Sequence, residues 1–115
     1  MDKGFRSLVV WQRAMELADA VHALSKRLPR DEFALKDQLR RAAISIPSNI
    51  AEGSRRPTRA DYARFLHIAL GSTTEIETQL LLTKRWYPKS DISRALALSA
   101  EVGKMLSVLV RRISD

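Results

Sequence analysis

Apolar residues in this chain recur every three or four positions in four separate runs, each broken by proline or glycine, and that spacing is the spacing of one face of a helix. From Val10 to Leu28 the stripe is Trp11, Ala14, Leu17, Ala18, Val21, Leu24 and Leu28, and Pro29 stops it. A second stripe begins behind Asp31, a suitable N-cap. It carries Leu35, Leu39, Ala42, Ala43, Ile46 and Ile50 as far as Gly53, where a left-handed cap is easy. Thr58 caps the third and longest run, through Tyr62, Phe65, Leu66, Ala69, Thr73, Ile76, Leu80 and Thr83, which Pro88 closes. Ser90 caps a fourth, with Ile92, Leu96, Ser99, Val102, Leu106, Leu109 and Ile113 facing inward.

Neither strand-like alternation nor an internal repeat occurs, so the chain reads as all-α, with helices over about 8–28, 31–53, 58–86 and 90–113. A length of 115 residues suits one core, and residues 1–115 are read as one domain. Short connectors return each helix alongside the last, which predicts an antiparallel up-down-up-down four-helix bundle. Val9, Ile44, Ile68, Leu81, Leu82, Leu98 and Val110 fall off the main stripes. Either they share a wider core or they form a second face buried between subunits.

The charge balance bears on partners. Twenty Lys and Arg stand against 13 Asp and Glu, a net +7 that favours polyanions or anionic surfaces. Eleven basic against seven acidic residues precede the break after Pro57, and nine against six follow it, so the basic residues belong to the folded body and not to a tail. Cysteine is absent, which removes disulfides and thiolate metal sites. The charged start Met1 to Arg6 has no apolar run behind it long enough for a signal peptide, and no stretch is long enough to span a bilayer, so a cytoplasmic protein without membrane association is expected.

Convergent catalytic groups are missing from the pattern. Asp19-x-x-His22 lies off the first stripe and lacks the glutamates of a bundle-type metal site; His67 has no second histidine four residues away and reads as a surface or interface side chain. Ser45, Ser48 and Ser72 have no accompanying His and Asp, and no phosphate-binding loop occurs. No catalytic residue, cofactor or metal is expected. Pro47, in mid-helix, removes a donor and crowds the carbonyl of Ala43, which predicts a kink or local unwinding. Ser45, Ser48 and Asn49 suit the repair of the freed backbone, and Glu52 suits an arginine on a neighbouring helix; a ligand pocket is the other reading of this segment. Gly71, beside Ser72, and Gly103 suggest close helix packing, within the bundle or between subunits.

Basic side chains cluster as Arg40 and Arg41, as Arg55 and Arg56 with Arg59 and Arg64, as Lys84 and Arg85, and as Arg111 and Arg112. Arginine's planar fork suits phosphate, and an antiparallel bundle brings the end of helix two, the start of helix three and the end of helix four to one end. All ten are candidate nucleic-acid contacts. Trp86 and Tyr87 add aromatic surface that either stacks on unpaired bases or caps the bundle.

The run Arg40-Arg41-Ala42-Ala43-Ile44-Ser45-Ile46-Pro47-Ser48-Asn49-Ile50-Ala51-Glu52-Gly53 resembles the signature of the four-helix bundle proteins encoded by intervening sequences within bacterial 23S rRNA genes. Leu8-Val9-Val10-Trp11-Gln12, Phe65 to Ser72 and Glu75 to Leu80 are similar to the same family in the same order. The connectors Asp31 to Leu35 and Trp86-Tyr87-Pro88 depart from its usual turns. The resemblance implies that Trp11, Pro47, Ser48, Asn49, Glu52, Gly53, Gly71 and Ser72 belong to a structural motif. It also implies a homopentameric ring in an RNA context, since the family includes the accessory variability proteins of diversity-generating retroelements, which work with a reverse transcriptase. Five copies of a +7 chain would carry about +35. The expected function is a non-enzymatic, oligomeric scaffold binding nucleic acid, RNA by preference; the alternative is a structural or protein-interaction oligomer that recruits a protein such as a reverse transcriptase.

Overall fold

Each stripe folds into the helix that its spacing dictates. The computed structural model describes residues 4–114; Met1 to Lys3 and Asp115, part of the charged start and the last residue, lie outside them. A short 3-10 turn, Gly4–Ser7, leads into α1 (Val9–Arg27), α2 (Phe33–Ser54), α3 (Arg59–Trp86) and α4 (Ser93–Ser114), and no strand occurs among the described residues.

The helices form a four-membered ring of neighbours: α1 packs on α2 and α4, α3 packs on α2 and α4, and the diagonal pairs bring no Cα atoms within 8 Å of each other. Cross-links fix the antiparallel sense. Glu32 meets Tyr87 at one end of α2 and α3, Ser45 meets Ser72 near the middle, and Gly53 meets Phe65 at the other end. One contiguous core runs down the axis, with Leu17, Leu39, Ile46, Ile50, Leu66, Ile76, Leu80 and Leu106 fully buried, in a molecule 43 Å long.

Two of the off-stripe residues, Leu98 and Val110, are core. In α4 the buried line passes through Ala95, Leu98, Val102, Leu106 and Val110 and leaves Leu96 and Leu109 half-buried, where α4 packs on α3 and α1. Val9, Ile44, Ile68 and Leu81 are exposed on the outside of the bundle.

Three helix ends differ from the sequence expectation. Glu32, not Asp31, caps α2, its carboxylate accepting from the Leu35 amide at 3.4 Å. Asp91, not Ser90, serves the start of α4, accepting from the Ser93 amide at 3.1 Å and the Ser93 hydroxyl at 2.6 Å. Gly53 is no left-handed cap: it is helical and buried, and α2 continues to Ser54. Thr58 caps α3 as expected, its hydroxyl accepting from the Asp61 amide at 3.1 Å.

Pro47 does not unwind α2, which stays α-helical throughout. The ring is buried, and the turn around it is braced by Asn49, whose side-chain amide donates to the Ser45 carbonyl at 2.7 Å and hydroxyl at 2.9 Å. Buried Ser72 donates to the same Ser45 hydroxyl at 3.0 Å, so this polar node also ties α3 to α2. Ser48 lies on the exposed side of the helix. Gly71 meets nothing within 4 Å of where a Cβ would stand, so it serves no close packing inside this chain; at Gly103 the Thr73 hydroxyl is at 3.5 Å, an ordinary contact.

Candidate nucleic-acid interface

The alternating helix directions put the start of α1, the end of α2, the start of α3 and the end of α4 at one end of the bundle, and arginines decorate it. Their scaffold starts at Gly53. A Cβ there would stand 2.8 Å from Phe65 Cβ and 3.1 Å from Tyr62 Cδ1, so the missing side chain is what lets the first turns of α3 lie against α2. Half-buried Phe65 is thereby brought under two guanidinium groups, Arg64 at 4.5 Å and Arg56 at 5.2 Å from its ring centre. Each is also held by a carboxylate, Arg56 by Glu52 at 3.1 Å and Arg64 by Asp61 at 3.0 Å. Glu52 therefore pairs four residues along its own strand of chain, and not with a neighbouring helix as its position suggested.

A second ring positions Arg55. Gly4, in the left-handed region at φ +63°, opens the 3-10 turn that carries Phe5. Phe5 meets Trp11 edge-on at 5.3 Å and turns its face to the Arg55 guanidinium at 5.5 Å. Arg55, Arg59, Arg111 and Arg112 are exposed, and none has a carboxylate in ion-pairing distance among the described residues. Among the described residues, Glu52 and Asp61 are thus outnumbered at this end by six arginines, which leaves these residues a surplus of positive charge.

Not every predicted contact belongs here. Arg40 sits in the opposite half, its Nε donating to the buried Ser25 hydroxyl of α1 at 3.3 Å, and Arg41 pairs with Asp37 at 3.3 Å. Lys84 and Arg85 lie at the far end, where the Lys84 ammonium donates to the carbonyls of Pro88 at 2.7 Å and Ser90 at 2.9 Å and so fastens the α3–α4 connector. Sequence reasoning missed Phe5 and the ring face of Phe65 as supports for arginine. The signal was present only as aromatic residues near Arg64 and the start of α1, and the bundle topology was needed to place Phe5 under Arg55.

His22 and His67 are exposed, and no group of three or more His, Asp or Glu able to hold a metal ion occurs among the described residues. Nor is any described helix long and apolar enough to cross a membrane.

The sequence profile of the family described as 23S rRNA-intervening sequence protein matches residues 6–108, most of the chain. The chain belongs to this family. Similar in structure is a protein of unknown function from the S23 ribosomal protein family of Bacteroides thetaiotaomicron, whose crystal structure was determined at 1.70 Å. Its identity to this chain is 30% and its TM-score 0.83, with 89% of this chain and 98% of that one covered. A search of curated proteins returns no match. The matched segment of the 23S rRNA-intervening sequence protein family takes in Trp11, the whole of α2 and α3 with Arg55, Arg56, Arg59 and Arg64, and α4 up to its last turns; Phe5, Arg111 and Arg112 lie outside it.

Proposed function

We propose that this protein is a non-enzymatic, pentameric scaffold that holds RNA by its phosphates through the arginine-rich end of each bundle. The observation that carries the reading is the pair of aromatic supports, Phe65 under Arg56 and Arg64 and Phe5 under Arg55, which hold guanidinium groups in place at an end where carboxylates are few. Guanidiniums preorganised in this way lose less freedom on meeting a phosphate, and their planar forks match its oxygens. Contacts of this kind position a polyanion without reading its sequence. Repetition round a ring multiplies weak contacts into retention.

The test combines light scattering on a sizing column with a short structured RNA at two salt concentrations. A pentamer that takes up RNA at low salt and releases it at moderate salt supports the reading. Arg55, Arg59 and Arg111 are the residues to reverse to Glu, because none of them holds an ion pair among the described residues whose loss would confuse the result. The triple variant should assemble normally and lose RNA; retention unchanged by it would refute the site, and a monomeric wild type would refute the ring.

Exposed Ile44, at 61% of its free surface, and Ile68, at 43%, favour a second reading in which the outer face of α2 and α3 engages protein, either another copy or a partner such as a reverse transcriptase. Pentamers indifferent to RNA at every salt concentration would favour it.

A further inference from the structure

At the end of the bundle away from the arginine rack, the last turns of α1, the α3–α4 connector and the first turn of α4 enclose an open cleft of about 740 Å³. Its floor is core: Leu24, Leu28 and Ala95. One wall is Trp86, whose indole is 54% exposed, an unusual position for the largest apolar side chain when the core it borders is well filled. Arg27, Lys89 and Arg94 stand on the rim, exposed and without an ion pair among the described residues. The one acid on the lining, Asp91, accepts from the Ser93 amide and hydroxyl and also feels the charge of Arg27, so three cations stand against one carboxylate.

The cleft is held open by its own frame. Lys84 pins the connector through the Pro88 and Ser90 carbonyls, and the Tyr87 hydroxyl donates to Glu32 at 2.5 Å, which anchors the residue next to Trp86 across to the start of α2. A flat exposed ring, an apolar floor and a surplus of positive charge on the rim together ask for a ligand that is both planar and anionic. An acidic peptide would satisfy the cations and leave the indole face in water. A nucleotide uses both.

We propose that this cleft binds an unpaired nucleotide, its base stacked on Trp86 and its phosphate held by Arg27 and Arg94 with Lys89 beside them. This rests on the nucleic-acid reading above but uses a separate set of residues, so the two can fail separately. In a Trp11→Phe background Trp86 is the only indole, and its fluorescence reports the cleft alone. Adenosine 5′-monophosphate and a short unstructured oligoadenylate should each quench it saturably at low salt, the oligonucleotide more tightly, while adenosine without phosphate should bind at least about tenfold more weakly.

Arg27→Glu with Arg94→Glu should weaken nucleotide binding by about tenfold or more with the thermal melt unchanged. Trp86→Leu should weaken it similarly when a fluorescently labelled oligonucleotide is followed by polarisation. Quenching that persists in the Arg55, Arg59 and Arg111 triple variant, where structured RNA is lost, assigns the nucleotide to this cleft. No saturable quenching by either nucleotide overturns the proposal. So does equal quenching by an aspartate-rich peptide, or full binding by both the Trp86→Leu and the Arg27, Arg94 variants.

Discussion

Gly53 and Gly71 share a chemistry and have opposite surroundings. At Gly53 a methyl group would collide with Phe65 Cβ, an atom fixed to the backbone of α3, so the helices must part. Gly53→Ala should therefore destabilise the fold by roughly 1–3 kcal/mol, the usual range for overpacking, and shift Phe65 under its two arginines. Gly71→Ala should stabilise it by up to about 1 kcal/mol, since the added methyl meets open space and alanine is the better helix former. Urea denaturation of the two variants checks both signs. Sequence marked both positions as special but gave Gly53 a cap, because the need for a small residue is visible in a sequence and the neighbour that imposes it is not; of the two packing roles open to Gly71, the structure removes the one inside the bundle. Tyr87 supplies a third residue-scale expectation. Its hydrogen bond to Glu32, aided by burial and by the nearby carboxylates, raises the phenol's pKa, so the protonated form is favoured in the folded state. That stabilisation is complete below the ordinary tyrosine range and is lost as pH rises through the raised value. Melting temperature should fall on alkaline titration more steeply in the wild type than in Tyr87→Phe.

Among the elements, the four stripes were legible because helical spacing follows from backbone geometry alone, and a residue such as Leu17 or Ile76 has only one side to face. The ends were less legible. Asp31, Glu32, Ser90 and Asp91 are all capable caps, and the choice among neighbours depends on where the chain leaves the preceding helix, as when Lys84 draws the α3–α4 connector back and hands the start of α4 to Asp91. The carboxylate of Asp91 is correspondingly held below its usual pKa, chiefly by the bonds from Ser93. Thr58 was unambiguous, and Thr58→Ala should cost about 1 kcal/mol in urea denaturation, with faster amide exchange confined first to the opening turn of α3. Pro47 is the instructive case. Its ring fills buried space and Asn49 braces the turn through Ser45, so α2 absorbs the proline without unwinding.

For the whole molecule, the bundle was readable from connector length, and the sorting of charge was readable only in part. The convergence of Arg55, Arg59 and Arg111 follows from antiparallel order. The aromatic rings that orient their neighbours, and the removal of Arg40, Arg41, Lys84 and Arg85 to the other half, required the packed structure. If phosphates meet the arginine end, each arginine reversed there should reduce the slope of log affinity against log salt by about 0.7–0.9, measured by filter retention across a salt series. Arg41→Glu should leave the assembled protein's affinity for structured RNA closer to wild type than any single change at the rack.

The stacked helices that carry this arrangement are stiff, and α3 alone runs almost the full 43 Å from Arg59 to Trp86. Electrostatic influence fades over about 8 Å in physiological salt, so the two extremities are deaf to each other and substitutions at them should combine additively. If both ends bind as proposed, the rod is a spacer: it would hold one strand at two points set apart by a fixed span, or keep two strands at that separation.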